Sequence, residues 1–215
     1  MTTQRAFVPA AGHDRWLALY DPLTKLLGAG AAHHTLIEQA NLRDGQRVLD
    51  IGCGTGSLAV MLKRERPGID VTALDPDANA LARARHKAAD AGLAIDFVLG
   101  FADAIETSDA SFERVLSSLM LHHLTRDERR ATLAEVFRVL KPGGEFHVVD
   151  FAAPEDRRRN VIARMLHRDE HLHDNAKGRF AAMVSDAGFQ SIAELAVRRT
   201  LFGPIAFHRA VRPRA

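Results

Sequence analysis

Short apolar runs alternate with amphipathic stretches along most of this chain. Five of the runs, Arg47–Ile51, Asp70–Leu74, Ile95–Leu99, Arg114–Leu119 and Glu145–Phe151, are brief, β-branched or leucine-rich, and bounded by Gly, Pro or Asp. Strands buried on both faces have this pattern. Between them the period becomes helical: Leu133, Val136, Phe137 and Leu140 recur at i, i+3, i+4 and i+7 and form one apolar stripe. Asp77 is placed to cap the helix through LARARHKAAD, and Gly92 follows its end. The KPGG at Lys141–Gly144 stops one helix and turns into the next strand. Strand and helix alternation at this spacing predicts an α/β fold with a doubly wound, mostly parallel sheet, since right-handed crossovers put helices on both faces.

From Phe189 the pattern changes. The runs SIAELAVRRTLF and PIAFHRAV meet at Gly203 and Pro204, with no room for a helix between them. They predict an antiparallel hairpin added to the parallel sheet, which brings the count to seven strands. The first forty residues read as two helices, and Asp156–Asp186 as a helical segment polar on one side. One domain over 1–215 is expected. It comprises an N-terminal helical lid (1–40), a core (42–151), a helical cap (156–186) and a C-terminal strand pair (189–210).

Composition narrows the class. Of 215 residues, 47% are hydrophobic and 26% charged, enough for one globular core. The formal net charge is only +2, with the cations scattered apart from Arg157–Arg159 and a short basic tail. A nucleic-acid binder usually concentrates its cations, so none is expected as a partner. The single cysteine, Cys53, excludes an intramolecular disulfide and a cysteine-based zinc site. No apolar run approaches a membrane span and no signal peptide opens the chain, so a cytoplasmic location is expected.

The chemistry gathers at Val48–Val60, VLDIGCGTGSLAV. A strand ending in Asp50 turns through Gly52, Gly54 and Gly56 into a helix, baring the backbone to a ligand and permitting positive φ. The spacing is G-x-G-x-G after an acid, not the G-x-G-x-x-G that seats a pyrophosphate on a helix N-terminus. Asp50 would repel a phosphate and attract a cation. Asp75, 23 residues beyond Gly52, stands where an acid meets ribose hydroxyls. Asp103, in GFADAI after the third strand, could accept an adenine amine. A ligand with a ribose, an adenine and a cationic amino-acid end, but no phosphate, fits this set. S-adenosylmethionine is such a molecule.

With VLDIGCGTG, ALDPD, GFADA, LSSLMLHHL and RVLKPGGEFHVVDF in order, Leu42–Phe151 resembles the class I S-adenosylmethionine-dependent methyltransferases. It is similar to their small-molecule branch, which includes the ubiquinone and menaquinone biosynthesis methyltransferases. The resemblance implies a Rossmann-like fold and methyl transfer to a small-molecule acceptor, with S-adenosylhomocysteine as product. It also implies that Asp50, Gly52 and Gly54 line the methionine end, with Cys53 and Gly56 in the same turn. Asp75 would hold the ribose, Pro76 would lie by the adenine, and Ala102 and Asp103 would read the adenine edge. Ser117 would offer its carbonyl to the ammonium. Tyr20, in YDPLTK, would close a lid.

Cys53 reads as a small residue in a tight loop rather than a nucleophile, because transfer from a sulfonium needs no covalent enzyme intermediate. His122 and His123 follow the fourth strand at the mouth of the site. With His171 they are the candidates for a general base, which is required only if the acceptor is poorly ionised. His167 and His171 share helical spacing with His173 just beyond, but short polar helices carry such pairs by accident, and no metal is expected. SSLML at Ser117–Leu121 replaces the N-P-P-Y-type tetrapeptide that accompanies transfer to a base or glutamine nitrogen. Two rivals are a non-catalytic S-adenosylmethionine binder of the same fold and a NAD-dependent oxidoreductase, against which the glycine spacing argues. The acceptor, the atom methylated and the oligomeric state are not encoded legibly.

Overall fold

The computed structural model describes residues 29–152, 179–200 and 203–214. Tyr20, His167, His171, His173, Arg157–Arg159 and most of the expected lid and cap lie outside those residues. The elements run α1 (Ala29–Gln39), β1 (Arg47–Ile51), α2 (Ser57–Glu65), β2 (Asp70–Asp75), α3 (Ala78–Asp90), β3 (Asp96–Leu99) and β4 (Phe112–Ser118). They continue as α4 (Arg126–Val139), β5 (Leu140–Phe151), α5 (Arg179–Asp186), β6 (Gln190–Thr200) and β7 (Gly203–Val211). A single 3-10 turn, Leu121–His123, follows β4.

The seven strands form one sheet in the order β3-β2-β1-β4-β5-β7-β6. The first five are parallel, and β7 pairs antiparallel with both β5 and β6. This is the Rossmann-like, doubly wound sheet with a terminal hairpin expected from the sequence. Strand order reverses direction between β1 and β4, and the crevice beyond the carboxyl ends of these two strands is where open α/β sheets bind ligands.

Alternation along each central strand sends side chains to two separate cores. Val48 and Val71 pack under α1 and α2 with Leu36, Leu58 and Leu62, while Leu49 and Ile51 face α4 and α5 with Leu133, Val136 and Val184. Burying a Leu, Ile or Val side chain contributes about 1.5–3 kcal/mol, so both helical layers are held firmly to the sheet.

Local signals operate as the chain suggests. Asp77 caps α3 by accepting from the N–H groups of Asn79 and Ala80. Thr125 and Glu128 form a capping box that starts α4. One boundary differs. Leu140 already pairs with Phe112, and β5 then bulges through KPGG before Glu145 takes up its place opposite Arg114. The bulge is held from the other side by the C-terminal segment, where Gly143 N–H donates to the Arg212 carbonyl and Arg212 N–H to that of Gly144. This long-range pairing is what turns a helix stop into strand.

Candidate active site

The glycine turn is fastened to the end of β2. Gly52 and Cys53 N–H both donate to the Leu74 carbonyl, at 2.8 and 3.0 Å. Gly54 N–H donates to Asp75 Oδ2 at 2.7 Å, and Asp77 N–H to Asp75 Oδ1 at 2.9 Å. Gly52, Gly54 and Gly56 all have positive φ, at 68°, 52° and 73°. A Cβ on Gly52 would stand 2.2 Å from Met120 Cγ, so the loop after β4 leans directly over the turn. Any side chain at this position would collide with Met120.

Two carboxylates lie under and beside the turn. Asp50 is buried, and burial followed by the charge of Asp75 pushes its carboxyl well above the usual range. Its Oδ2 has no hydrogen-bond partner among the described residues. Asp75 is also pushed up by burial, against the pull of the Asp77 and Gly54 N–H groups. Such a pair disfavours a phosphate and is relieved by a cation. Cys53, in the same turn, is buried as well. Burial, then Asp50 and Asp75, push its thiol well up, which makes it inert as a nucleophile.

The loop with Ala102 and Asp103 flanks the same crevice. Gly100 N–H donates to the Asp75 carbonyl at 3.1 Å. Further on, Ile105 N–H reaches Glu135 Oε2, while Arg138 donates to the carbonyls of Ile105 and Thr107 and to Asp109. Asp103 is therefore carried on a loop pinned at both ends. Pro76 follows β2 directly, between Asp75 and the capping Asp77. Ser117 is fully buried, one residue inside the end of β4, opposite Ile51 and Val148.

Beyond β4 the chain turns through Leu119, a non-glycine residue at φ 53°. A left-handed conformation costs such a residue about 1–2 kcal/mol, and here it directs Met120 over Gly52 and swings the 3-10 turn against β5. His122 Nδ1 then lies 2.7 Å from Asp150 Oδ1, and His122 N–H donates to Asp150 Oδ2 at 3.0 Å. The His123 ring packs on His122 at 4.0 Å between centroids. The structure thus gives His122 a carboxylate partner in Asp150. Asp150 was missed in sequence, although it stands near the end of its strand as Asp50 and Asp75 do.

A second unforeseen residue is His33 of α1, whose Nε2 is 3.0 Å from Ser118 Oγ. Burial, aided by the charge of Lys87, lowers its pKa from 6.5 to about 4. Burial also lowers His147 and His208. A histidine depressed in the folded state takes up its proton more readily when unfolded. Stability should therefore fall as pH drops from about 6.5 towards 4, and His33→Gln should flatten that slope. Chemical denaturation of both proteins at a series of pH values checks this; identical slopes would contradict it.

Comparison with known proteins bears on the fold. Residues 48–144 match the family model described as a methyltransferase domain. They are similar to that family. The demethylmenaquinone methyltransferase of Thermus thermophilus is 36% identical over 138 residues, which cover 63% of this chain and 62% of that protein. The chain spans less than two thirds of the length of the curated relatives it matches, 62% and 54% for the first two. Among solved structures, Haemonchus contortus phosphoethanolamine N-methyltransferase 2 in complex with S-adenosyl-L-methionine has a TM-score of 0.77 at 17% identity, covering 95% of this chain and 58% of that one. The cyclase SpnF has a TM-score of 0.71 at 18% identity and covers 98% of both chains. The fold of the methyltransferase domain is thus shared with a protein titled for different chemistry.

Among the described residues no helix is long and apolar enough to cross a membrane, and no cluster of His, Cys, Asp or Glu is arranged to hold a metal ion.

Proposed function

We propose that this protein transfers a methyl group from S-adenosylmethionine to a small-molecule acceptor. The single observation that carries this is the bared glycine turn with Asp50 buried beneath it, its Oδ2 without a hydrogen-bond partner among the described residues, at the β1–β4 switch point of a stretch that matches a methyltransferase-domain model. The residues present fit the ligand. Its cationic amino-acid end relieves Asp50, its ribose hydroxyls meet Asp75, and its adenine lies along Pro76, Ala102 and Asp103. Gly52, Cys53, Gly54 and Gly56 admit it to the backbone, and Ser117 closes the floor of the crevice from β4. When bound, S-adenosylmethionine supplies an electrophilic methyl on sulfur; the chain's own task is to align the acceptor and exclude water.

A quinol-type acceptor is supported by the names of the relatives, a demethylmenaquinone methyltransferase among them. A cytoplasmic enzyme without nucleic-acid partners is the accompanying reading, supported by the mild, scattered charge. The shared fold of a cyclase favours one rival, a binder of S-adenosylmethionine that transfers nothing. Purified protein given methyl-labelled S-adenosylmethionine and reduced demethylmenaquinone separates the two. Label in the quinol fraction together with S-adenosylhomocysteine is expected. Binding without label transfer to this or related acceptors would leave the non-catalytic reading.

A further inference from the structure

We propose that Arg138 and Glu135 of α4 are positioning residues for base selection. They hold the loop that carries Asp103, and through it they set the preference for adenine over a base without the exocyclic amine. Both act through the loop, not through contact with the ligand. This rests on the reading of the protein as an S-adenosylmethionine-dependent methyltransferase.

The loop leaves β3 at Gly100, whose N–H donates to the Asp75 carbonyl at 3.1 Å. Its start is thereby tied to the end of the neighbouring strand. The chain turns at once, with Ala104 N–H donating to the Phe101 carbonyl at 3.1 Å. Ile105 then buries its side chain in the same core as Leu133 and Val136 of α4. Asp103 lies inside this turn, two residues from the buried Ile105.

At Ile105 the helix takes hold of the backbone. Ile105 N–H donates to Glu135 Oε2, and its carbonyl accepts from Arg138 Nη2, both at 2.8 Å. Arg138 Nη1 donates to the Thr107 carbonyl and to Asp109 Oδ1, both at 2.7 Å. Nε and the second Nη2 hydrogen go to the two oxygens of Glu135 at 2.8 Å. A guanidinium carries five N–H donors in a fixed fork, and all five are engaged here. Hydrogen bonding to Arg138, ahead of every other cause, holds the Glu135 carboxyl below its usual range, so the pair stays ionised at neutral pH. The helix that bears the fork is itself fixed by its capping box and its buried stripe. The fork passes that rigidity to a loop with no regular structure of its own.

Base selection needs that rigidity. A carboxylate at Asp103 accepts from the exocyclic amine of adenine, whereas a carbonyl oxygen in the amine's place offers it only another acceptor. Such a bond forms over a narrow range, about 2.7–3.2 Å, so slack at Ile105 reaches the selecting carboxylate two residues away. A lysine at 138 would keep the charge and lose the fork.

The test is calorimetric titration of the full chain with two probes, S-adenosylhomocysteine and S-inosylhomocysteine, whose base has a carbonyl oxygen in place of the amine. Wild type should prefer the adenosyl probe by at least about tenfold, and Asp103→Ala should abolish the preference. Arg138→Met should reduce it to about threefold or less, and Arg138→Lys should restore little of it. Added to Asp103→Ala, Arg138→Met should change the ratio of the two affinities no further, as expected of residues acting through one another. Glu135→Gln is nearly isosteric and should lower the ratio severalfold, so it decides the matter if Arg138→Met does not fold. A merely structural clamp would lower the melting temperature of these variants and leave the ratio as in wild type, which would overturn the proposal. Equal binding of the two probes by wild type would also overturn it, because the loop would then read no amine. Failure of wild type to bind either probe would overturn the methyltransferase reading beneath it.

Discussion

Replacing Gly54 with valine is expected to abolish S-adenosylmethionine binding while the protein still folds. Gly54 has φ 52°, and its N–H is held by Asp75 at 2.7 Å, so the backbone cannot swing away to make room. A β-branched residue is a genuine outlier in this conformation and costs about 1–2 kcal/mol or more in stability. For a domain of this size that corresponds to a fall in Tm of roughly 2–4 °C per kcal/mol, which a folded variant survives. The side chain would occupy the space into which the turn admits its ligand. Calorimetric titration with S-adenosylhomocysteine should show no saturable heat in this variant. A folded Gly54→Val protein that binds as wild type would mean the cradle lies elsewhere.

Asp75→Ala is expected to weaken the cofactor at least about tenfold, or 1.4 kcal/mol, through loss of the ribose contacts. From sequence alone the same change would leave the melting curve of the free protein nearly unmoved. The hydrogen bonds alter that expectation. Asp75 accepts from both Gly54 and Asp77, and it couples the turn to the start of α3. Each orphaned N–H costs on the order of 1–3 kcal/mol, offset in part by removing an acid that burial disfavours. The apo Tm should therefore drop by several degrees, and Asp75→Asn, which keeps an acceptor oxygen, should recover part of it. Unchanged affinity in the alanine variant would remove Asp75 from the ribose role.

What was legible in the sequence was local. The strand, turn and helix of VLDIGCGTGSLAV declare themselves within thirteen residues, because glycine spacing and a preceding apolar run leave few alternatives. The Asp77 cap and the hairpin at Gly203 are similarly short-range. What was not legible depends on which strands become neighbours. Asp150 meets His122 only because β4 and β5 lie side by side, and His33 reaches Ser118 across 85 residues of chain. The bulge at KPGG arises because the C-terminal segment returns to pair with it, which no reading of those four residues reveals. The double duty of Asp75 was hidden for the same reason: its bond to Gly54 joins two strand ends.

A crystal structure of the S-adenosylhomocysteine complex tests the central claim most directly. The account predicts the ribose hydroxyls within hydrogen-bonding distance of Asp75, the amino-acid end over Gly52 and Gly54 above Asp50, and the sulfur facing the crevice. Ligand density outside the β1–β4 crevice, or a ribose that makes no contact with Asp75, would contradict it.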